Sequence, residues 1–196
     1  GKWVLHEEKA PAGYLSARDI AFTIENNGEV RRDGRTLEDK TIVMTDDPIT
    51  VTIHKIDEAG KLLPGAQLKL TYVDNETVDL TKVKVLGTED GGWIGAREQK
   101  VIRWGPGSSA VTFQGLPVGH YLLEEEYAPA EYKVADPVSF EIKEDGSLNT
   151  EYQDVRENEI VITDGKIRPV VQIVKAFVDA DGNEYDLETD GSGAYF

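Results

Sequence analysis

The chain carries one pattern twice, 118 positions apart. Gly1 to Tyr14 reads GKWVLHEEKAPAGY, and Gly119 to Tyr132 reads GHYLLEEEYAPAEY. The register then holds without a gap: Phe22 falls on Phe140, Ile24 on Ile142, Gly28 on Gly146, Ile42-Val43 on Ile160-Val161 and Thr45-Asp46 on Thr163-Asp164. Residues 1–46 set against 119–164 give 16 identities. A fixed period of domain size marks tandem modules. Residues 1–47 are therefore expected to be the C-terminal part of one module and 48–167 a complete one. Residues 168–196 are expected to open a further module or to be the complementary piece of the first. Within the complete module, residues 74–110 read as a long Gly-rich insertion carrying Trp93 and Trp104.

The local patterns are those of short strands. Ile20 to Ile24 and Val138 to Ile142 alternate apolar and polar residues, as half-buried strands do. Asn26-Asn27-Gly28 and Glu144-Asp145-Gly146 supply hairpin turns. Thr41 to Asp46 reads as the closing strand of the partial module, and Val83-Lys84-Val85 to Val101–Trp104 as an extra hairpin across Gly91-Gly92. Regular strands punctuated by Gly and Pro, with no helical period, predict an all-β fold of tandem immunoglobulin-like sandwich modules.

Composition narrows the function. The net charge of −16 argues against nucleic acid and against anionic membrane surfaces as partners. The absence of cysteine removes disulfides, thiol catalysis and Cys-based zinc sites. His6, His54 and His120 show no metal-ligand spacing, and Asp179-Ala-Asp-Gly-Asn183 reads as a solvated turn rather than a calcium loop. No metal, no cofactor and no turnover chemistry is expected.

Period two shows which face each charge occupies. Val51, Ile53 and Lys55 share a face, as do Tyr121, Leu123 and Glu125, and Ile160, Ile162 and Asp164. One amine and two carboxyl groups should thus point inward. The partial module repeats the carboxyl positions as Glu7 and Asp46, and the tail supplies Val171, Ile173 and Lys175. Buried charges must pair or neutralise. An amine made neutral beside a protonated acid can attack its carbonyl carbon while the second carboxyl moves protons, leaving an amide and water. A plain ion pair between Lys55 and Asp164 is the other reading of the same residues, and Asn158 is a rival acceptor that precedes the apolar strand.

Lys55-Ile-Asp57-Glu-Ala-Gly60, Leu63-Pro-Gly-Ala66, Leu116-Pro-Val-Gly119-His-Tyr121 running on to Glu125, Ala128-Pro129, Tyr132 and Ile160-Val-Ile-Thr-Asp164 together resemble the collagen-adhesin B-repeat family, the SpaA-pilin-type module of Gram-positive surface proteins. The resemblance implies a prealbumin-like sandwich and a single-turnover isopeptide bond between Lys55 and Asp164, catalysed by Glu125. It carries Glu7 and Asp46 onto the catalytic and acceptor positions of the partial module. If head and tail are complementary pieces, Lys175 completes a second triad with them, joined between neighbouring molecules or after a cut. Glu131 stands where the family usually has Gly. The implied role is a stalk segment anchored at the cell wall, with adjacent modules of the same protein as partners. The alternative is a module that binds host matrix or glycan through residues 74–110.

Overall fold

The computed structural model describes residues 1–87, 93–94, 98–107, 109–149, 155–169, 177–178, 181–182 and 184–185. Residues 50–164 form two five-stranded sheets. One runs β10 (Trp93–Ile94), β11 (Val101–Gly105), β8 (Gln67–Tyr72), β13 (Gly119–Tyr127), β14 (Val138–Ile142). The other runs β15 (Val155–Arg156), β16 (Glu159–Asp164), β7 (Thr50–Asp57), β12 (Ala110–Gln114), β9 (Lys84–Leu86). Pairing is antiparallel except where β16 lies parallel to β7, so the first and last strands of the module are neighbours.

The sheets pack face to face because alternate residues on each strand are apolar. Val51 and Ile53 of β7, Val111 and Phe113 of β12, and Ile160 and Ile162 of β16 meet Leu68 and Leu70 of β8 and Tyr121 and Leu123 of β13 in one buried cluster. Tyr121 stacks on Phe140 at 5.3 Å and meets Tyr72 edge-on at 5.2 Å. Its hydroxyl donates to the Pro117 carbonyl at 2.7 Å, so a buried polar atom is satisfied.

Residues 74–110 depart from the expected insertion. No hairpin joins residues 83–85 to 101–104. β9 pairs with β12 in one sheet, and β11 pairs with β8 in the other. Trp104 is not a surface residue but part of the core, edge-on to Phe113 at 5.0 Å. The apolar phase of Val101–Gly105 explains this, because Ile102 and Trp104 project together onto the buried face. The side chain of Trp93 lies outside the described residues.

Residues 1–47, the head, form a separate four-stranded sheet in the order β1 (Lys2–Leu5), β3 (Ile20–Ile24), β4 (Val30–Arg32), β5 (Arg35–Leu37). The β1–β3 pair Trp3↔Phe22 repeats the β13–β14 pair Tyr121↔Phe140 at the same offset. The expected strand over Thr41–Asp46 does not form: among the described residues, 40–46 join no sheet. Its repeat counterpart β16 is held by β7, and residues 1–47 contain no counterpart of β7. The short pair β2 (Tyr14–Leu15) and β6 (Asp47–Pro48) ties the head to the sandwich.

At that junction the Ile49 amide donates to the Gly13 carbonyl, and the Gly115 amide donates to the Ile49 carbonyl, each at 2.8 Å. Gly13 sits at φ +87°, and a Cβ there would fall 2.3 Å from the Gly115 carbonyl oxygen. Gly13→Ala is therefore expected to release the head, seen as loss of hydrogen-exchange protection at the Ile49 amide with the sandwich amides unchanged. The tail contributes β17 (Phe177–Val178) and β18 (Glu184–Tyr185), an antiparallel pair.

Candidate functional site

Lys55, Glu125 and Asp164 converge inside the sandwich. Their side chains are 1%, 0% and 0% exposed, at the ends of otherwise apolar inward faces. Lys55 on β7 and Asp164 on β16 come from neighbouring strands in parallel register, with Lys55 opposite Ile162 and Asp164 two residues further on. Glu125 on β13 reaches them from the opposite sheet. The pairing of β13 with β8 shifts register between Glu125 and Tyr127, an irregularity directly beside the site.

The Lys55 Nζ is in contact with Asp164 Oδ1 and lies 3.3 Å from Glu125 Oε1. These atoms are within ion-pair range, yet Nζ, Oε1 and both Asp164 oxygens make no hydrogen bond of acceptable geometry. The other Glu125 oxygen, Oε2, accepts the Ala135 amide at 2.7 Å. That contact holds the carboxyl in one orientation, with its free oxygen turned towards the amine. Burial pushes the Glu125 carboxyl up to about 7; the neighbouring Asp164 carboxyl adds to the rise, while the Ala135 amide and the Lys55 ammonium oppose it. One cation facing two acids is electrically balanced when one acid keeps its proton, and Glu125 is the one so placed.

Asn158, the rival acceptor, is exposed and outside this cluster; its carbonyl takes the Thr52 amide at 2.9 Å. Ala135 carries one mark in the sequence: Ala17 and Ala135 are identical at the repeat spacing, although the contact uses only the backbone amide.

In the head, the carboxyls of Glu7 and Asp46 lie beside each other. Glu7 Oε2 accepts the Ala17 amide at 2.7 Å, the same contact as Glu125 with Ala135. Desolvation raises the Asp46 carboxyl above its ordinary range, and the charge of Glu7 and a hydrogen bond to it raise it further. Both side chains are half-buried, where Glu125 and Asp164 are enclosed. Lys175 lies outside the described residues.

The three histidines each lie against one carboxylate: His6 on Asp19 at 2.6 Å, His54 on Glu159 at 3.7 Å and His120 on Asp74 at 3.0 Å. Among the described residues, no group of three His, Asp or Glu side chains could hold a metal ion. No helix among them is long and apolar enough to cross a membrane. Glu131 adopts φ +73°, the left-handed region that the Gly expected there would occupy without strain, and its carbonyl accepts the Ile167 amide at 2.8 Å.

Comparison with solved structures finds likenesses of low score. The full-length major pilin SpaD from Corynebacterium diphtheriae is 22% identical over 60% of this chain and 30% of its own, with a TM-score of 0.37. The C-terminal fragment of the pilus adhesin SpaC from Lactobacillus rhamnosus GG is 14% identical over 88% and 79%, with a TM-score of 0.39. The pilus adhesin RrgA from Streptococcus pneumoniae is 22% identical over 80% and 21%, with a TM-score of 0.43. The chain thus spans less than a third of SpaD and about a fifth of RrgA. No curated protein gives a significant match by sequence. The family model for SpaA, a prealbumin-like fold domain, matches residues 49–156, more than half of the 196. With its paired five-stranded sheets, the chain belongs to the SpaA family of prealbumin-like fold domains.

Proposed function

We propose that this chain is a structural stalk segment of a Gram-positive cell-surface pilin or adhesin, and that its complete module, residues 48–167, closes itself with an amide between Lys55 and Asp164. The observation that carries the reading is the contact of Lys55 Nζ with the Asp164 carboxyl in a buried site, with Glu125 at 3.3 Å. An ammonium and a carboxylate buried without full hydrogen bonding are costly, because several kcal/mol of hydration per ion is only partly recovered. Amide formation removes both charges.

The step balances. The Lys55 ammonium gives a proton to the Asp164 carboxylate, leaving a neutral amine and a neutral acid. Nζ attacks the Asp164 carboxyl carbon, a C–N bond forms, and one C–O bond breaks. Glu125, holding its proton, gives it to the departing oxygen, which leaves as water, and recovers one from the nitrogen. Glu125 ends as it began, but the amine and acid are consumed. The chemistry is a single turnover rather than an enzyme activity.

The bond would join β7 to β16, the first and last strands. Neighbouring modules of a surface protein would pull at those strands, so tension would pass along covalent bonds instead of the strand ladder. Such a role suits an acidic chain without cysteine whose attachment, in this reading, is to the cell wall. The test is the intact mass of the denatured chain. A deficit of one water is expected, absent in Lys55→Ala, with a Lys55–Asp164 linked peptide after digestion. A parent chain of full mass would leave only an ion pair.

A further inference from the structure

Residues of the 74–110 segment build one wall of a cleft where the head meets the sandwich. The cleft measures about 730 Å³, the size of a small-ligand site, and junctions between folded units are where such sites are common. Its floor is fixed by backbone. Gly13 approaches Gly115 so closely that a Cβ on Gly13 would fall 2.3 Å from the Gly115 carbonyl oxygen, and both residues are hydrogen-bonded to Ile49. The walls are therefore in place before any ligand arrives.

The sandwich wall is anchored from below. Val78, Leu80 and Val83 are 8%, 0% and 2% exposed and belong to the core, while Thr77, Lys82 and Lys84 around them lie at the surface. Lys84 of β9 is the cross-strand partner of Gln114 of β12, both on the outward face, and Gln99 lines the same cleft. On the head side stands Tyr14, which is exposed. Its repeat counterpart in the complete module, Tyr132, also stays at the surface, with the Lys166 ammonium 5.8 Å from its ring centroid. At the position of Lys166 the head has Pro48, and Pro117 lines the cleft as well. One tyrosine ring and two pyrrolidine rings thus make an apolar part of the lining.

The polar part is short of acceptors. Among the described residues that line the cleft, Asp79 is the one carboxylate, and its own turn engages it. Its Oδ1 accepts the Thr81 amide at 3.2 Å and the Thr81 hydroxyl at 2.5 Å, and its Oδ2 pairs with Lys82 at 3.3 Å. The side chains of Lys84, Gln99 and Gln114 make no hydrogen bond or ion pair among the described residues. A lysine has three donors and no acceptor, and each glutamine adds two donors. The ligand that fits offers carbonyl oxygens, few N–H groups and flat apolar rings. A sugar brings a donor with every hydroxyl, and the cleft has no free carboxylate to receive them. A polyanion meets the field of a chain of net charge −16. A proline-rich segment in the polyproline II conformation satisfies all these conditions. Its carbonyls are unpaired, its prolines carry no N–H, and it is already ordered when free.

We infer that this cleft is a binding site for an extended, proline-rich segment of a partner protein. Prolines pack on Tyr14, Pro48 and Pro117, while Lys84, Gln99 and Gln114 donate to the carbonyls between them. The site needs no amide at Lys55 and stands apart from the buried triad. It also gives the 74–110 segment a role that its core strands leave open: the stretch from Thr77 to Lys84, with Gln99, shapes a surface as well as a sheet edge.

The experiment titrates the full chain with an acetylated and amidated proline oligomer of about ten residues, roughly three turns of the helix, and follows it by NMR. Shifts are expected at the side-chain amides of Gln99 and Gln114 and at the Tyr14 ring, saturating with one dissociation constant. Tyr14→Ala is expected to weaken binding by about tenfold. Gln114→Glu, which exchanges two donors for a carboxylate of the same shape, is expected to weaken it by about as much. Hydrogen-exchange protection of the Ile49 amide, read in each variant, reports whether the floor is intact. Should Tyr14→Ala disturb it, Gln114→Glu on the outward sheet face carries the test. A chain whose Gln99, Gln114 and Tyr14 signals do not move at millimolar proline oligomer overturns the inference. So does a maltose or glutamate oligomer that binds these residues as tightly, or an affinity that Gln114→Glu leaves unchanged.

Discussion

Lys55→Ala is expected to lower the unfolding free energy of the sandwich by at least about 5 kcal/mol, and its thermal midpoint by roughly 15–25 °C. Two effects act in the same direction. The parent's cross-link closes the chain from position 55 to position 164, and the loop-entropy relation developed for disulfides gives about 4–5 kcal/mol for a loop of that size. The variant also leaves Glu125 and Asp164 facing each other as two buried acids with neither cation nor amide between them, which is costly until they take up protons. The two terms overlap, because much of the second is relieved when the acids take up protons. The measurement is a thermal or denaturant melt of parent and variant, with the parent's cross-link verified by mass. Lys55→Met, which keeps the apolar stem, is expected to recover packing but neither the mass deficit nor the loop term. If parent and Lys55→Met melt together, no covalent bond stabilises the parent.

Much of this arrangement could be read from residue order alone, and the reason is period. Because β-strand side chains alternate, the apolar neighbours of Lys55, Glu125 and Asp164 set all three on inward faces, and all three are buried. Because the repeat has no gap, the register of β1 on β3 follows from that of β13 on β14. Long-range partnership was less legible. Nothing in Val83–Val85 or Val101–Trp104 says that they belong to different sheets, since pairing there is decided by which edge each strand meets after the chain crosses the sandwich. Thr41–Asp46 has the composition of a strand and is not one, because a strand exists only when a partner completes its ladder. The clamp on Glu125 came from a backbone amide, and a backbone donor leaves no mark in side-chain chemistry.

Glu125→Ala is expected to slow cross-linking by about 10²–10⁴-fold, the usual contribution of a positioned proton-transfer group, while leaving the sandwich folded. The parent, refolded from denaturant before it has reacted and followed by mass, is expected to lose water fastest below pH 7 and more slowly as pH rises through about 7. The sign follows from the groups around the carboxyl. Glu125 faces Lys55 and Asp164 in a site closed to water, and burial holds its carboxyl up to about 7, above the ordinary 4.5. Between those values the folded, unreacted chain keeps a proton that the unfolded chain has lost. This proton uptake contributes stability that is complete below about pH 4.5 and is lost as pH rises through about 7. Above that point Glu125 becomes a second buried anion, holds the lysine as an ammonium and has no proton for the departing oxygen. Glu125→Gln keeps the shape and the Ala135 contact but cannot exchange a proton. It is expected to be as slow as Glu125→Ala and to lose this dependence on pH. A Gln variant that reacts at the parent's rate would assign Glu125 to packing alone.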